Sequence, residues 1–510
     1  MDVPSGHETR SMKKTILRPS WAIPMLLGLA VAALCVAAPL HLIALLVGGS
    51  ILILTLKRAE VGILCIVTAI ASIVFEEALP VIRFGFGSLH LTDILLLELL
   101  VLVLVGFAVS RRRRRTRTPM DLPLLLFYLA ALVTAVVGLS AGTEVERVRR
   151  AGRVVTYYLL FFAVTDLVRT RRQLAFLVKG MFAIAALVAA AMVVQAAIGP
   201  AAALMPGRVE AASTFGRSSE ALRILPPGQV TVYVLFVTSL CFLMLRKRDR
   251  PMVLSGSFYL ALLLGVAILL TYNRTYWVSV MVSVGILLGV AQTGKRSRLL
   301  RVIGVGLVAA GLAVLIAVGS GGKLNAAVTA MSQRFASLFA GRELLESSSL
   351  EMRKIENGFA LQRIREHPLL GIGLGSRYRS NLLYWSNGED PLQGYIHNGY
   401  LWILVKTGVA GLVPLLWFWI AFLRRGLRNW RRVGDPFLQS AVLGFTLSAV
   451  GYLMMAVTIP VFMDWHSVVI SAVTFGAATS ILSLYGEAEP ARAANAPTAA
   501  GGEGVPPHTP

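Results

Sequence analysis

Long apolar runs separated by short charged loops fill most of this chain. Nearly uncharged windows at Asp93–Val109, Leu122–Leu139, Val253–Thr271 and Leu299–Gly319 each supply the roughly 17 to 25 residues that cross hydrocarbon as a helix. A soluble core would be interrupted sooner. The pattern predicts an all-α polytopic membrane protein with about 12–14 transmembrane helices and a large loop between the late ones. The count is a range because "WAIPMLLGLAVAALCVAAPLHLIALLVGGSILILTL" divides in more than one way.

Composition sharpens the class. The 510 residues are 56% hydrophobic and 15% charged, with a mean hydropathy of +0.72. A net charge of +23 would suit a nucleic-acid binder, but the positions of the charges argue otherwise. Every second loop is basic: Lys13, Lys14 and Arg18; Lys57 and Arg58; Arg111–Arg117; Arg169–Arg172; Arg246–Arg250; Lys295–Arg301; and Arg424–Arg432. By the positive-inside rule this side is the cytoplasm, and both termini lie on it. The first apolar segment runs directly into a second one, so it reads as a retained anchor and not a cleaved signal. Cys35, Cys65 and Cys241 lie inside apolar runs, with neither disulfide nor metal-ligand spacing.

The chain therefore divides into a cytoplasmic amino-terminal segment at 1–20, transmembrane helices over 21–198, a second transmembrane region over 199–486 containing a periplasmic loop at 320–396, and a disordered cytoplasmic tail at 487–510. Within the large loop, "SSSLEMRKIENGFALQRIREHP" predicts a helix. Serines can cap it, Glu351 lies in the first turn, Leu350, Ile355, Phe359, Leu361 and Ile364 suggest an apolar face, and Pro368 ends it.

Candidate chemistry gathers on the opposite side from the basic loops. In "GYIHNGYLWILVKTGVAGL", a helix from about Ile396 turning about 100° per residue sets Gly408 and Gly411 within roughly 40° of His397 and turns Lys406 away. That face is either a groove beneath an interfacial imidazole or ordinary helix packing. "HPLLGIGLGSRY", with Gly371, Gly373 and Gly375, could cradle an anion on backbone N–H groups or form a flexible turn. Outer-face arginines are unexpected: Arg274 lies in a very short turn, while Arg208, Arg217 and Arg223 crowd the preceding outer loop. Each alone could snorkel to lipid head groups; four opposite a histidine favour an anionic ligand.

"EHPLLGIGLGSRY" followed by "YIHNGYLWILVKTGVAGL" resembles the O-antigen ligase and polysaccharide polymerase family. His397, Asn398, Gly408 and Gly411 fit its spacing, and "TYNRTYW" is similar to its arginine turn, with Asn273 and Thr275 in place of serine and glycine. The resemblance covers roughly 199–486. It implies a metal-independent, cofactor-free, inverting glycosyltransferase of the inner membrane, active on the periplasmic face. The donor would be a glycan on undecaprenyl diphosphate; the acceptor would be a sugar hydroxyl on lipid A core or on a growing glycan. His397 would be the general base, since an unperturbed imidazole titrates at about 6.5. Arg223 and Arg274, with Arg217 and Arg208 as further candidates, would hold the diphosphate. Asn398, Gly408, Gly411, Gly371 and Gly373 would support the site. Ligase, polymerase and protein glycosyltransferase stay open. The alternative from another class is a transporter or flippase of a small anion or lipid-linked glycan, for which Glu98 and Lys406 are the ionisable candidates within the spans.

Overall fold

A computed structural model describes residues 39–71, 73, 82–84, 87–109, 117–200, 204, 207–214, 217–246, 255–292, 294–306, 322–336, 348–379 and 393–486. The amino-terminal segment, Cys35, the Arg111–Arg115 run, the tail after Gly486 and the end of the Leu299–Gly319 window lie outside these residues. The chain divides into an amino-terminal unit, Met1–Ser50, and a main unit, Ile51–Pro510. Helix α1 (Pro39–Lys57) crosses that division.

The main unit is a helical bundle built from α2 (Ala59–Ile70), α3 (Leu91–Val109), α4 (Asp121–Ser140), α5 (Val145–Thr156), α6 (Leu160–Leu167), α7 (Arg171–Ile198), α8 (Gln229–Leu245), α9 (Gly256–Leu270), α10 (Arg274–Val290), α11 (Gly322–Ala336), α12 (Ser348–Glu366), α13 (Gly399–Asn429), α14 (Pro436–Met455) and α15 (Trp465–Gly486). Among the described residues, six helices are long and apolar enough to cross a membrane: α3, α4, α7, α13, α14 and α15. Shorter apolar helices, α2 and α8–α10 among them, accompany these six. The chain is an all-α polytopic membrane protein.

Burial inverts the pattern of a soluble bundle. Helix α3 leaves Leu97, Val101, Leu104 and Val105 exposed, as a surface facing lipid tails does, whereas α15 is buried along nearly its whole length. Small residues set the close crossings. A Cβ on Gly444 of α14 would stand 2.5 Å from the Thr238 Cα of α8. Aromatic rings fill the space between α13 and α15, with Phe422 and Phe475 stacked at 3.7 Å and Trp419 edge-on to Phe475 at 4.8 Å.

Strands among the described residues are confined to two hairpins. The shorter joins β1 (Ile82–Phe84) to β2 (Gly87–Leu89). The longer joins β3 (Arg208–Thr214) to β4 (Arg217–Leu225), with Glu210 opposite Arg223 and Thr214 opposite Arg217. Hydropathy gives no sign of this second hairpin, which carries three of the candidate arginines.

Helix α13 is not continuous. Its 31 residues include Gly408 at φ +61° and ψ −164°, a backbone state that breaks the helix. The segment after α12 fills the break: Val409 N–H donates to the Pro368 carbonyl at 3.0 Å, Ala410 N–H to Leu369 at 3.1 Å, and Ile372 N–H to Val405 at 2.8 Å. The orphaned groups of the broken helix thus find partners within the protein, as a membrane setting requires.

Candidate functional site

The site begins with the loop that leads into α13. Asn398 is the helix N-cap, its side-chain oxygen accepting from Tyr400 N–H at 3.0 Å and Leu401 N–H at 3.1 Å. Gly399 N–H donates to the Ala456 carbonyl at 2.7 Å, tying this entry to the end of α14. His397 therefore lies just outside the helix, on a segment held at both sides.

Its imidazole is held in turn. Nδ1 lies 2.8 Å from Oε2 of Glu356, and the same oxygen accepts from the His397 backbone N–H at 3.2 Å. Glu356 is fully buried on α12, while the histidine side chain is 32% exposed. A carboxylate only accepts, so Nδ1 carries the hydrogen and the Nε2 lone pair is left for another partner. The Tyr395 ring meets the imidazole edge-on at 4.9 Å, and on its other contact the same Tyr395 ring lies tilted against Trp402 at 5.1 Å.

A second group forms around the turn before α10. Tyr272 is at φ +47°, the one non-glycine in the left-handed region among the described residues. The turn presents two successive carbonyls to two arginines: Arg223 Nε donates to Thr271 at 3.1 Å, and Arg334 Nε, from α11, donates to Tyr272 at 3.1 Å. Arg274 follows immediately, its Nε buried without a hydrogen-bond partner among the described residues. Glu210 takes Arg223 Nη1 at 2.9 Å. Burial, reinforced by Arg274 and Arg223, lowers the Arg334 guanidinium to about 10, so it stays cationic at neutrality. Burial likewise pulls Arg223 below the usual arginine range against the opposing pull of Glu210.

The two groups are neighbours. Arg208 acts electrostatically on both Arg223 and Tyr395, while Tyr395 feels Asp464, Glu356 and Arg353 as well. Burial first, then the Asp464 and Glu356 carboxylates, raise the Tyr395 hydroxyl to about 12, so it remains a donor. Thr275 and Thr458 hydroxyls meet at 2.9 Å, linking the arginine turn to the loop between α14 and α15.

Three expectations change. The helical face expected from His397 through Gly408 and Gly411 does not form, because the helix starts at Gly399 and breaks at Gly408. Gly408 serves the inserted segment instead: a Cβ there would stand 2.1 Å from the Leu369 carbonyl oxygen. The glycine run is neither a flexible turn nor an open anion nest. Gly371, Gly373 and Gly375 all have positive φ, at +64°, +97° and +84°. They thread the chain past Val405, Gly138 and Val148, where any Cβ would fall within 2.7 Å of backbone. Leu374 N–H is spent on the Thr134 carbonyl at 2.9 Å, and buried Lys406 donates to the Ser376 carbonyl. On α12 the inward face is Glu356 and Ala360, while Ile355, Phe359 and Leu361 are exposed. Ala360 packs with Tyr378, Ile396 and Val405, so tertiary contact and not apolarity chose the face.

Of the four outer arginines foreseen, Arg223 and Arg274 stand together and Arg208 lies beside them. Arg217 starts β4, six residues from Arg223, so its backbone lies roughly 20 Å away along the strand. Sequence reasoning passed over Glu356, Arg334, Arg353 and Tyr395. Only the i, i+3 spacing of Arg353 and Glu356, with Ala360 four residues further on, hinted at a polar inward face. The described residues hold no His, Cys, Asp and Glu group able to bind a metal ion.

Residues 258–418, from α9 through the break in α13, match the family model described as O-antigen ligase. The matched region includes Arg274, Arg334, Glu356, His397, Gly408 and Gly411. No curated protein matches the chain significantly.

Proposed function

We propose that this protein is a membrane glycosyltransferase that moves a glycan from a polyprenyl diphosphate to a sugar hydroxyl, at the end of the bundle that carries His397. The observation that carries the reading is the pairing of an oriented imidazole, Nδ1 to Glu356 at 2.8 Å, with the neighbouring guanidinium groups around the Thr271–Arg274 turn.

Each part has a task. His397 Nε2 takes the proton of the acceptor hydroxyl as its oxygen attacks the anomeric carbon. The anomeric C–O bond breaks, and polyprenyl diphosphate departs with its electron pair. Arg223, Arg274 and Arg334 stabilise the charge that develops on the diphosphate. Guanidinium forks suit phosphate oxygens and remain charged at the edge of a low-dielectric region. Attack opposite the leaving group inverts the anomeric centre. The donor is an undecaprenyl-type diphosphate glycan and the active end faces the periplasm of an inner membrane, a reading supported by the alternation of basic loops.

One observation favours transport instead: Glu98, halfway along α3, has both carboxylate oxygens buried without a partner among the described residues. Purified full-length protein in vesicles separates the readings. Supplied with undecaprenyl-diphosphate glycan and acceptor, it forms a new glycosidic bond if the proposal holds. Glycan flux without bond formation, abolished by Glu98→Gln, overturns it.

A further inference from the structure

Around the entry to α13 and the arginine turn, tyrosine and tryptophan tips are spent on backbone. The Tyr400 hydroxyl donates to the Leu453 carbonyl at 2.7 Å, the Tyr158 hydroxyl to Phe462 at 3.2 Å, and Trp277 Nε1 to Ile268 at 3.3 Å. Packed tyrosines and tryptophans ordinarily find such partners. Tyr395 and Trp402 differ. Both are half-buried, and among the described residues neither the Tyr395 hydroxyl nor Trp402 Nε1 makes a hydrogen bond.

These two rings stand beside the proposed base. Ile396 is fully buried and anchors the loop, packing with Ala360, Tyr378 and Val405. The residues on either side of it, Tyr395 and His397, bring their rings together edge-on at 4.9 Å. Trp402, in the first turn of α13, lies tilted against Tyr395 at 5.1 Å. Imidazole, phenol and indole thus form one continuous run of rings. Each carries a polar atom left for a ligand: the Nε2 lone pair of His397, the Tyr395 hydroxyl and the Trp402 N–H.

Aromatic rings with open polar tips suit a sugar. A pyranose carries a patch of C–H bonds that packs on an aromatic surface, bordered by hydroxyls that bond to the tips. A serine or threonine side chain offers a hydroxyl without the ring.

We infer that Tyr395 and Trp402 form the acceptor subsite and that it recognises a pyranose ring. The C–H patch of the sugar packs on the two rings, neighbouring hydroxyls bond to the Tyr395 hydroxyl and Trp402 Nε1, and the attacking hydroxyl reaches His397 Nε2. This inference rests on the proposed transfer reaction; within it, the subsite selects a sugar ring over a peptide side chain.

The test uses full-length protein in lipid nanodiscs, as wild type, Tyr395→Phe, Tyr395→Leu and Trp402→Leu, with thermal unfolding confirming that each variant folds. Transfer from undecaprenyl-diphosphate glycan is measured against the concentration of a pyranose-ended acceptor. Each leucine variant is expected to raise acceptor KM about 2- to 10-fold, the scale of an aromatic contact, with KM rising more than kcat falls. Tyr395→Phe keeps the ring and its packing and recovers part of the loss, so it also serves where a leucine variant does not fold. Unchanged acceptor KM in all the folded variants overturns the inference; an accompanying fall in kcat would leave Tyr395 acting on the imidazole alone.

Binding read without donor separates this inference from the reaction. Saturation-transfer NMR compares methyl β-glucoside, methyl β-galactoside and methyl α-mannoside with sorbitol, an acyclic polyol. The subsite is supported where a pyranoside binds, with stronger transfer to its ring C–H protons than to its O-methyl group, and where Tyr395→Leu or Trp402→Leu weakens that binding. That result stands even if no glycosidic bond forms, in which case the reaction assignment alone fails. The subsite is overturned if wild type binds no pyranoside, if sorbitol binds as well as the pyranosides, or if neither leucine variant alters binding.

Discussion

Glu356 Oε2 lies 2.8 Å from His397 Nδ1 and accepts from the His397 backbone N–H at 3.2 Å, so one buried carboxylate fixes both the ring and the loop that carries it. Replacing Glu356 by Gln keeps an acceptor for both N–H groups but removes the charge that stabilises the imidazolium formed during transfer. Replacing it by Ala frees the ring. Glu356→Gln is expected to lower kcat about 10-fold and Glu356→Ala about 100-fold or more, within the range that acid–base positioning contributes, with donor affinity unchanged in both. Steady-state kinetics with a separate donor-binding measurement checks this. Equal activity of Glu356→Ala and wild type would remove the positioning role.

His397 could be read from its spacing to Gly408 and Gly411, but Glu356 could not. The partners are 41 residues apart and meet because the chain folds back through the glycine run. A helical wheel ranks faces by avoidance of water, which drew attention to Ile355, Phe359 and Leu361; here lipid or a neighbouring element can cover those residues, and Ala360 and Glu356 take the inward positions. The wheel on α13 failed for a different reason. It assumed one continuous helix, whereas Gly408 adopts a positive φ and admits another segment. The apolar spans themselves needed no tertiary information, so α3, α4 and α9 match their hydropathy windows closely.

The break in α13 depends on glycine. Gly408→Ala places a side chain in the left-handed region, at a backbone cost of about 1–3 kcal/mol, and drives its Cβ into the Leu369 carbonyl. Thermal unfolding in detergent is expected to fall sharply for Gly408→Ala and for Gly373→Ala, whose Cβ would stand 2.4 Å from the Gly138 nitrogen. Gly285→Ala, with open space around it, is the control and should be neutral or slightly stabilising. Unchanged melting of Gly408→Ala would contradict the inserted segment.

The arginine cluster predicts opposite effects from two substitutions. Arg274→Lys preserves charge but loses the planar fork, so affinity for undecaprenyl diphosphate should drop about 10-fold. Glu210→Gln releases Arg223 Nη1 from its only carboxylate among the described residues and should tighten binding several-fold. Equilibrium binding at fixed ionic strength reads both. A weaker Glu210→Gln complex would mean that Glu210 organises the site.

Helix α5 carries a pH-sensitive contact beside the glycine run, where Gly375 passes Val148. Hydrogen bonds from Arg149 first and Arg150 second lower the Glu146 carboxyl from 4.5 to about 2. A depressed folded-state value means that the stabilisation is present above about 4.5 and is lost as pH falls toward about 2. Hydrogen exchange across Val145–Thr156 should therefore accelerate over that window, relative to the intrinsic rate, and Glu146→Gln should flatten the change. A profile identical in the variant would assign the contact no role.

Whether His397 is the base in glycosyl transfer is read from single-turnover transfer of an undecaprenyl-diphosphate glycan by His397→Ala, with donor binding measured on the same preparation. With His397 as the base, the variant binds donor within about twofold of wild type and transfers at a rate at least about 100-fold lower, since general acid–base catalysis supplies that much. Transfer by His397→Ala at the wild-type rate contradicts that role.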